Sequence, residues 1–417
     1  MSLIFNYDKD LPKVTPLKQE YLKNQVLTLK NIFQPEQKSK EWYEMRSNML
    51  TASDWGTVLG ENHYSNSNEV LKKKCGDDNF VTNAAMIWGN KYEEVAVLIY
   101  KNRNNVDVLE FGCLRHPSIP FLGASPDGIT PDGIMLEIKC PTSRKITGIP
   151  PRYYWCQVQG QLEVCELDRC DFLECALKEY ESETDYLNDH FENNYKLNKF
   201  GNEKGVVVEF FKKDSKSFYF DYSPVCIINE ELTNWKNKII EKHTANNSNI
   251  MYSSFSYWYL EEVSCIPIYR NQEWFNEAKV ILGDFWNKVL KYRELGLPKL
   301  YEDLQNEKDE KKIIRLMKKE ETITKKESLK KERALKKEDS TKKQKKIREF
   351  IILDDITAES TKIINKIDFD NDNDDNKLSE NSSINDIEED DNTEDEDDFV
   401  FQTQTTTSLF SSKSIFK

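Results

Sequence analysis

Asp127, Glu137 and Lys139 stand around one short hairpin, in the run Phe121-Leu-Gly-Ala-Ser-Pro-Asp127-Gly-Ile-Thr-Pro-Asp-Gly133-Ile-Met-Leu-Glu137-Ile-Lys139-Cys-Pro141. Pro131 fixes φ and Gly133 is free to take φ > 0, so Thr130 to Gly133 has turn chemistry. The flanks, Phe121 to Ile129 and Ile134 to Cys140, read as strands. Side chains alternate across a strand, so Glu137 and Lys139 share one face and Leu136 and Ile138 the other. A plain surface salt bridge between Glu137 and Lys139 is the alternative, worth about 0–1 kcal/mol. Should Asp127 meet Glu137 across the hairpin, two carboxylates and one ammonium converge. Such a set can hold a divalent metal and position a water.

Other residues with chemistry lie on the elements around this hairpin. Arg46 and Ser53 are seven apart. Ser53 is a good N-cap and opens a helix whose free amide N–H groups suit an anion, and Arg46 adds a fork that matches phosphate. Ala84 to Asn102 reads as an amphipathic helix with Trp88, Tyr92, Val95, Ala96 and Ile99 in one stripe. Glu93 and Glu94 ride on it, and Gly89 inside it costs about 1 kcal/mol against Ala, which suggests close packing. Arg152 to Cys165 reads as a helix with Tyr154, Gln157 and Gln161 on one face. Glu41 to Asn48 is helical in pattern, and Asp171 to Lys178 reads as a strand. The order helix, hairpin, helix, strand implies an α/β domain around a mixed sheet.

Further along, Val206 to Phe211 and Ser217 to Tyr222 read as a second hairpin, and Glu230 to His243 as a helix. Trp274 to Leu295 reads as another, with Trp274, Ala278, Ile281, Phe285, Val289 and Tyr292 on one face. The expected division is a polar leader (1–38) with one short helix around Leu17 to Asn31, a core (39–200), and a strand-helix extension packed on it (201–298). A lysine-rich helical arm (299–350) and an acidic disordered tail (351–417) follow.

The 417 residues are 38% hydrophobic and 32% charged, with a net charge of −14. The imbalance is local. Asn306 to Glu349 holds 18 basic and 10 acidic residues, Asp368 to Asp398 holds 16 acidic residues and one lysine, and residues 1–305 are left with a net of about −8. A nucleic-acid surface would therefore be a local basic groove. The lysine-rich run is either a solvated single helix, its apolar positions being too sparse for a heptad seam, or a basic arm for phosphates. The tail carries too much charge and too little apolar surface to fold alone. Nine cysteines without any Cys-x-x-Cys pair, and four histidines, argue against a zinc site and for reduced, mostly buried thiols in an intracellular protein. No secretory leader or membrane span is expected from the sequence. Asn-, Lys- and Ile-rich usage is compatible with an AT-rich genome such as that of a large DNA virus, and with host-cell cytoplasm.

Ser125-Pro126-Asp127-Gly128 followed by Glu137-Ile138-Lys139-Cys140-Pro141 resembles the core of the PD-(D/E)XK nucleases. More narrowly, it is similar to the lambda-exonuclease-like branch, the YqaJ viral recombinase family. Trp88-Gly89-x-x-x-Glu93, the Arg46/Ser53 pair and the Gln157-x-Gln159 helix resemble further elements of that family, in the same order, over roughly residues 39 to 180. The resemblance implies a restriction-endonuclease-like core, a mixed central sheet flanked by helices. It implies metal ligation by Glu93, Asp127, Glu137 and the backbone carbonyl of Ile138, with Glu94 a rival for the place of Glu93. Lys139 would lie beside the attacking water, Gln157 would orient water or phosphate, and Arg46 and Ser53 would hold a 5′-terminal phosphate. Two Mg²⁺ ions, with Mn²⁺ able to substitute, would supply the nucleophile and neutralise the phosphate.

The expected activity is that of a Mg²⁺-dependent deoxyribonuclease. It would degrade one strand from 5′-phosphorylated ends of duplex DNA, for viral-type recombination or repair. The expected partners are duplex DNA ends and a single-strand annealing protein, with homo-oligomers open and no membrane. A structure-specific or nicking endonuclease of the same fold and a non-catalytic DNA-end-binding scaffold are the alternatives.

Overall fold

The computed structural model describes residues 14–364 apart from 38, 78–82, 216, 246 and 247. The described residues fall into two units, one ending at Glu320 and one beginning at Glu321.

The first unit opens with α1 (Pro16–Asn31), α2 (Lys40–Ser47), β1 (Leu50–Thr51), α3 (Ala52–Val58), α4 (Ser67–Lys74) and α5 (Ala84–Asn104). Next come β2 (Leu114–Arg115), β3 (Leu122–Ala124), β4 (Gly128–Ile129), β5 (Ile134–Lys139), α6 (Arg152–Cys165), β6 (Arg169–Glu179) and α7 (Glu183–Asn188). The chain continues through β7 (Lys204–Lys212), β8 (Ser217–Tyr222), α8 (Asn229–Thr244), β9 (Ile250–Tyr269), α9 (Gln272–Leu295) and α10 (Leu297–Ile364). Among the described residues the strands form a six-stranded sheet in the order β4-β5-β6-β9-β7-β8 and a three-stranded sheet in the order β1-β3-β2. β5 and β6 run parallel, and the other neighbours in the large sheet are antiparallel. Parallel neighbours need a crossover, and α6 supplies it. The mixed α/β class is therefore the one expected.

Strand alternation sorts the core into two faces. Met135 and Phe172 pack with Val158 and Leu162 of α6 and with Leu22, Val26 and Leu29 of α1. Leu136, Ile138 and Leu173 pack on the other face with Tyr92, Val95 and Ile99 of α5 and with Trp258 of β9. Glu137 and Lys139 therefore fall on the α6 face, at the carboxyl end of β5. A third cluster joins Trp55, Leu71 and Leu122 to Phe275, Leu282 and Trp286 of α9.

Four expectations need correction. The helix expected around Leu17 to Asn31 is present as α1, but it is more than a polar leader: its Leu22, Val26 and Leu29 follow helical spacing and are buried. The long hairpin splits: β3 pairs with β1 and β2, and only β4 pairs with β5, in the register Gly128↔Leu136 and Ile129↔Met135. Residues 201–269 are no appendage, because β9 pairs with β6 along one part and with β7 along the other. Finally, the buried face of α9 is Phe275, Ala278, Leu282, Trp286, Val289 and Tyr292, while Ile281 is 52% exposed. Trp274, Phe285 and Ile281 also have helical spacing, so apolar residues border the stripe on both sides and pattern alone shifts it by one position.

The lysine-rich run is helical, as part of α10, and its side chains from Glu310 to Ile351 are exposed. The helix continues to Ile364, into the stretch expected to be tail. The remainder of that tail lies outside the described residues. No helix among the described residues is long and apolar enough to cross a membrane, and all nine cysteines are free.

Candidate active site

Glu137 is fully buried and its oxygens are matched by donors from two elements. Its Oε1 accepts from Gln157 Nε2 at 2.6 Å and from Lys139 Nζ, and its Oε2 accepts from Gln161 Nε2 at 2.6 Å. Gln157 and Gln161 are four apart on α6 and so share a helix face above β5. Asp127 closes the group from the other side, its Oδ2 accepting the backbone N–H of Ile138 at 2.7 Å. The turn holds as expected: Gly133 takes φ +82°, its N–H donates to the Thr130 carbonyl at 2.9 Å, and Thr130 N–H donates to the Ile134 carbonyl at 2.8 Å.

The electrostatics show how close these charges lie. Burial first, then Glu137 and Glu93, pushes the Asp127 carboxyl well above the usual carboxylate range. For Lys139, burial favours the neutral amine, but Glu137 and Asp127 outweigh it and hold the ammonium above its ordinary value. The Lys139 Nζ also lies 4.7 Å from the ring centre of Tyr154. Glu93, Ile138 and Lys139 line a cleft of about 540 Å³ with Arg144, Tyr153 and Tyr154. Glu93 also lines a neighbouring cleft of about 810 Å³ that reaches Asp127, Glu94 and Glu110. For Glu94, burial and then Glu110 push the carboxyl up to about 7. Both glutamates line the cleft that reaches Asp127, and it is Glu93 whose charge adds to the rise of the Asp127 carboxyl. Among the described residues, no three Asp, Glu, His or Cys side chains are grouped as a ready-made metal cage.

Arg46 and Ser53 are brought together, though not as a cap. The N-cap of α3 is Thr51, which makes no side-chain cap bond, and Ser53 lies inside the first turn. Arg46 Nη2 donates to Ser53 Oγ at 3.3 Å and Nη1 to Ser125 Oγ at 3.1 Å. Its guanidinium sits 4.4 Å over the Trp42 ring. The backbone beneath is held by Lys74, which donates to the Arg46 carbonyl at 3.0 Å and pairs with buried Asp54 at 2.9 Å. Burial would raise the Asp54 carboxyl, but Lys74 and Lys73 outweigh it and hold it well below its ordinary range.

Ser125 and Gln161 are the residues whose roles sequence reasoning missed. Gln161 Nε2 also reaches the Ser125 carbonyl at 3.4 Å. A chain of hydrogen bonds therefore runs from Arg46 through Ser125 and Gln161 to Glu137. The signal for Ser125 was its place in Ser-Pro-Asp-Gly, two residues before Asp127. For Gln161 it was the helical spacing from Gln157.

Residues 41–168, which hold every one of these groups, match the family model of the YqaJ-like viral recombinase domain. Over these residues the chain is similar to a YqaJ-like viral recombinase domain. Among similar proteins, an uncharacterized protein of Acanthamoeba polyphaga mimivirus is 36% identical over 326 residues, covering 70% of this chain and 59% of that protein. A protein of African swine fever virus is 26% identical over 167 residues, covering 31% of this chain and 46% of that protein. The chain thus spans less than two thirds of the length of these relatives. Among solved structures, an alkaline exonuclease from Laribacter hongkongensis aligns at 20% identity and a TM-score of 0.37, over 62% of this chain and 95% of that one. A phage-related exonuclease from Haemophilus somnus aligns at 11% identity and a TM-score of 0.32, over 59% and 94%. The matched residues end next to the start of β6. The rest of the large sheet, β6 to β9, lies beyond the matched residues.

Proposed function

We propose that this protein is a metal-dependent DNA exonuclease that hydrolyses duplex DNA from 5′-phosphorylated ends. The observation that carries this reading is the hydrogen-bond chain from Arg46 through Ser125 and Gln161 to Glu137. It links the half-buried Arg46 guanidinium and the exposed Ser53 to a carboxylate and lysine cluster, all within the residues that match the YqaJ-like model. Such coupling suits an enzyme that grips a terminal phosphate while cutting a neighbouring phosphodiester.

The donor set fits Mg²⁺ in its chemistry. Asp127, Glu137 and Glu93 are hard oxygen donors, and Mg²⁺ needs only one or two carboxylates because it keeps several waters. Asp127 is raised by burial and then by Glu137 and Glu93, and the last two mark negative charge that a divalent cation would offset. Asp127, Glu137, Glu93 and the Ile138 carbonyl would hold the ion, which when bound supplies Lewis-acid activation of water and neutralisation of the phosphate.

The chain's own groups do the rest. Lys139 keeps its proton and offers a hydrogen bond and a positive charge where an oxyanion forms. Gln157 and Gln161 fix both Glu137 oxygens, so the carboxylate is oriented before substrate arrives. Arg46, with the hydroxyls of Ser53 and Ser125, offers donors of the kind that bind a phosphate dianion.

Incubation with Mg²⁺ and either linear or covalently closed circular duplex DNA tests the reading. Digestion of linear DNA alone, faster from 5′-phosphate than from 5′-hydroxyl ends, is expected. Cutting of circles would make the protein an endonuclease, and retained end binding without digestion would make it a scaffold.

A further inference from the structure

Three tyrosines lead from Lys139 to open solvent. The Tyr154 ring lies 4.7 Å from Lys139 Nζ. Tyr153 stands beside it, with ring centres 4.2 Å apart. Tyr64 meets Tyr153 edge-on at 6.1 Å and 86°. All three line the cleft that also holds Glu93, Lys139 and Arg144. Tyr64 is 74% exposed. Its backbone N–H donates to Asn62 Oδ1 at 3.0 Å, and Asn62 Nδ2 donates to Thr57 Oγ1 at 2.9 Å on α3. His63 flanks its ring at 4.3 Å. Tyr153 is fixed by close approach of α3 to α6, since a Cβ at Gly56 would lie 2.8 Å from the Tyr153 backbone.

An exposed ring in an open cleft that also holds Lys139 and Arg144 suits a polyanion with planar faces. Base–aromatic stacking accepts any base, because every base has a π-face. We propose that Tyr64, buttressed edge-on by Tyr153, is a stacking platform for an unpaired nucleobase near the 5′ end of the strand being cut. This rests on the nuclease reading above and adds a base-binding subsite to it.

The test uses 5′-phosphorylated duplexes whose first three nucleotides carry either normal bases or abasic residues. KM and kcat are measured for wild type, Tyr64→Ala and Tyr64→Phe. In wild type, removal of the bases should raise KM about fivefold or more. Tyr64→Ala should raise KM on the normal duplex by a similar factor and lose most of the abasic penalty, whereas Tyr64→Phe should behave as wild type. A Tyr64→Ala variant that keeps the wild-type KM, or the full abasic penalty, overturns the platform while leaving the nuclease reading intact. A wild-type protein that cleaves neither duplex overturns both.

Discussion

A buried carboxylate is costly unless its oxygens find donors, and Glu137 has three: Lys139, Gln157 and Gln161. Deleting one donor should loosen the group without emptying the core. Gln161→Leu keeps most of the volume and removes the contacts to both Glu137 and Ser125. Its cleavage rate should fall about 10- to 100-fold, the usual cost of losing a partner that orients a metal-binding side chain. Circular dichroism should stay unchanged, and wild-type turnover in this variant would remove Gln161 from the site. Arg46 makes a second, separable prediction. Its charge-assisted bonds are worth about 1.5–3 kcal/mol, so Arg46→Ala should erase any preference for 5′-phosphate over 5′-hydroxyl ends. Rates on the two ends, compared in one assay, decide it.

Elements carry the site through their contacts. α3 packs on α6 through Gly56, where added bulk meets backbone rather than a movable side-chain tip. Gly56→Ala should therefore destabilise the first unit by about 1–3 kcal/mol, read from the urea midpoint, and should disturb Tyr153 as well. α6 is also tied to the end of β9: Arg270 Nε donates to Glu163 Oε2 at 2.6 Å. Burial would raise the Glu163 carboxyl, but His116 and Arg270 outweigh it and hold it at about 2. The unfolded carboxyl titrates near its ordinary value of about 4.3. Between these two values the unfolded state binds the extra proton, so this contribution is complete above about 4.3 and is lost as pH falls through about 2. Glu163→Gln should lower stability at neutral pH and flatten the acid limb across that window. Urea titrations at several pH values would show an unchanged acid limb if the pair were idle.

For the whole molecule, charge distribution sets the prediction. Residues 1–305 carry about −8, while Asn306 to Glu349 carries 18 basic residues against 10 acidic ones. Leu300 and Leu304 of α10 are buried with α9, so a truncation that respects the core must fall after them. A chain ending at Glu320 should keep cleavage at saturating DNA but bind DNA more weakly, with a shallower salt dependence, because fewer counterions are released. Removing 368–417 alone takes away the acidic run and should tighten binding and steepen the salt slope. Affinities measured at several salt concentrations, identical for all three chains, would make the arm a bystander.

What the sequence determined by itself was local. The Thr130 to Gly133 turn, the bounds of α6 and the buried stripe of α5 follow from turn chemistry and helical periodicity, which are complete within a few residues. Glu137 and Lys139 as partners follow from a period of two on one strand. What the tertiary structure decided joins distant positions. Arg46 meets Ser125 across 79 residues, Gln161 meets Glu137 across 24, and β9 meets both β6 and β7. The burial of α1 and the one-position shift of the α9 face depend in the same way on what packs opposite. A side chain's own neighbours in sequence fix its direction on an element, but only the partner element decides whether that direction ends in solvent, in core or in a site.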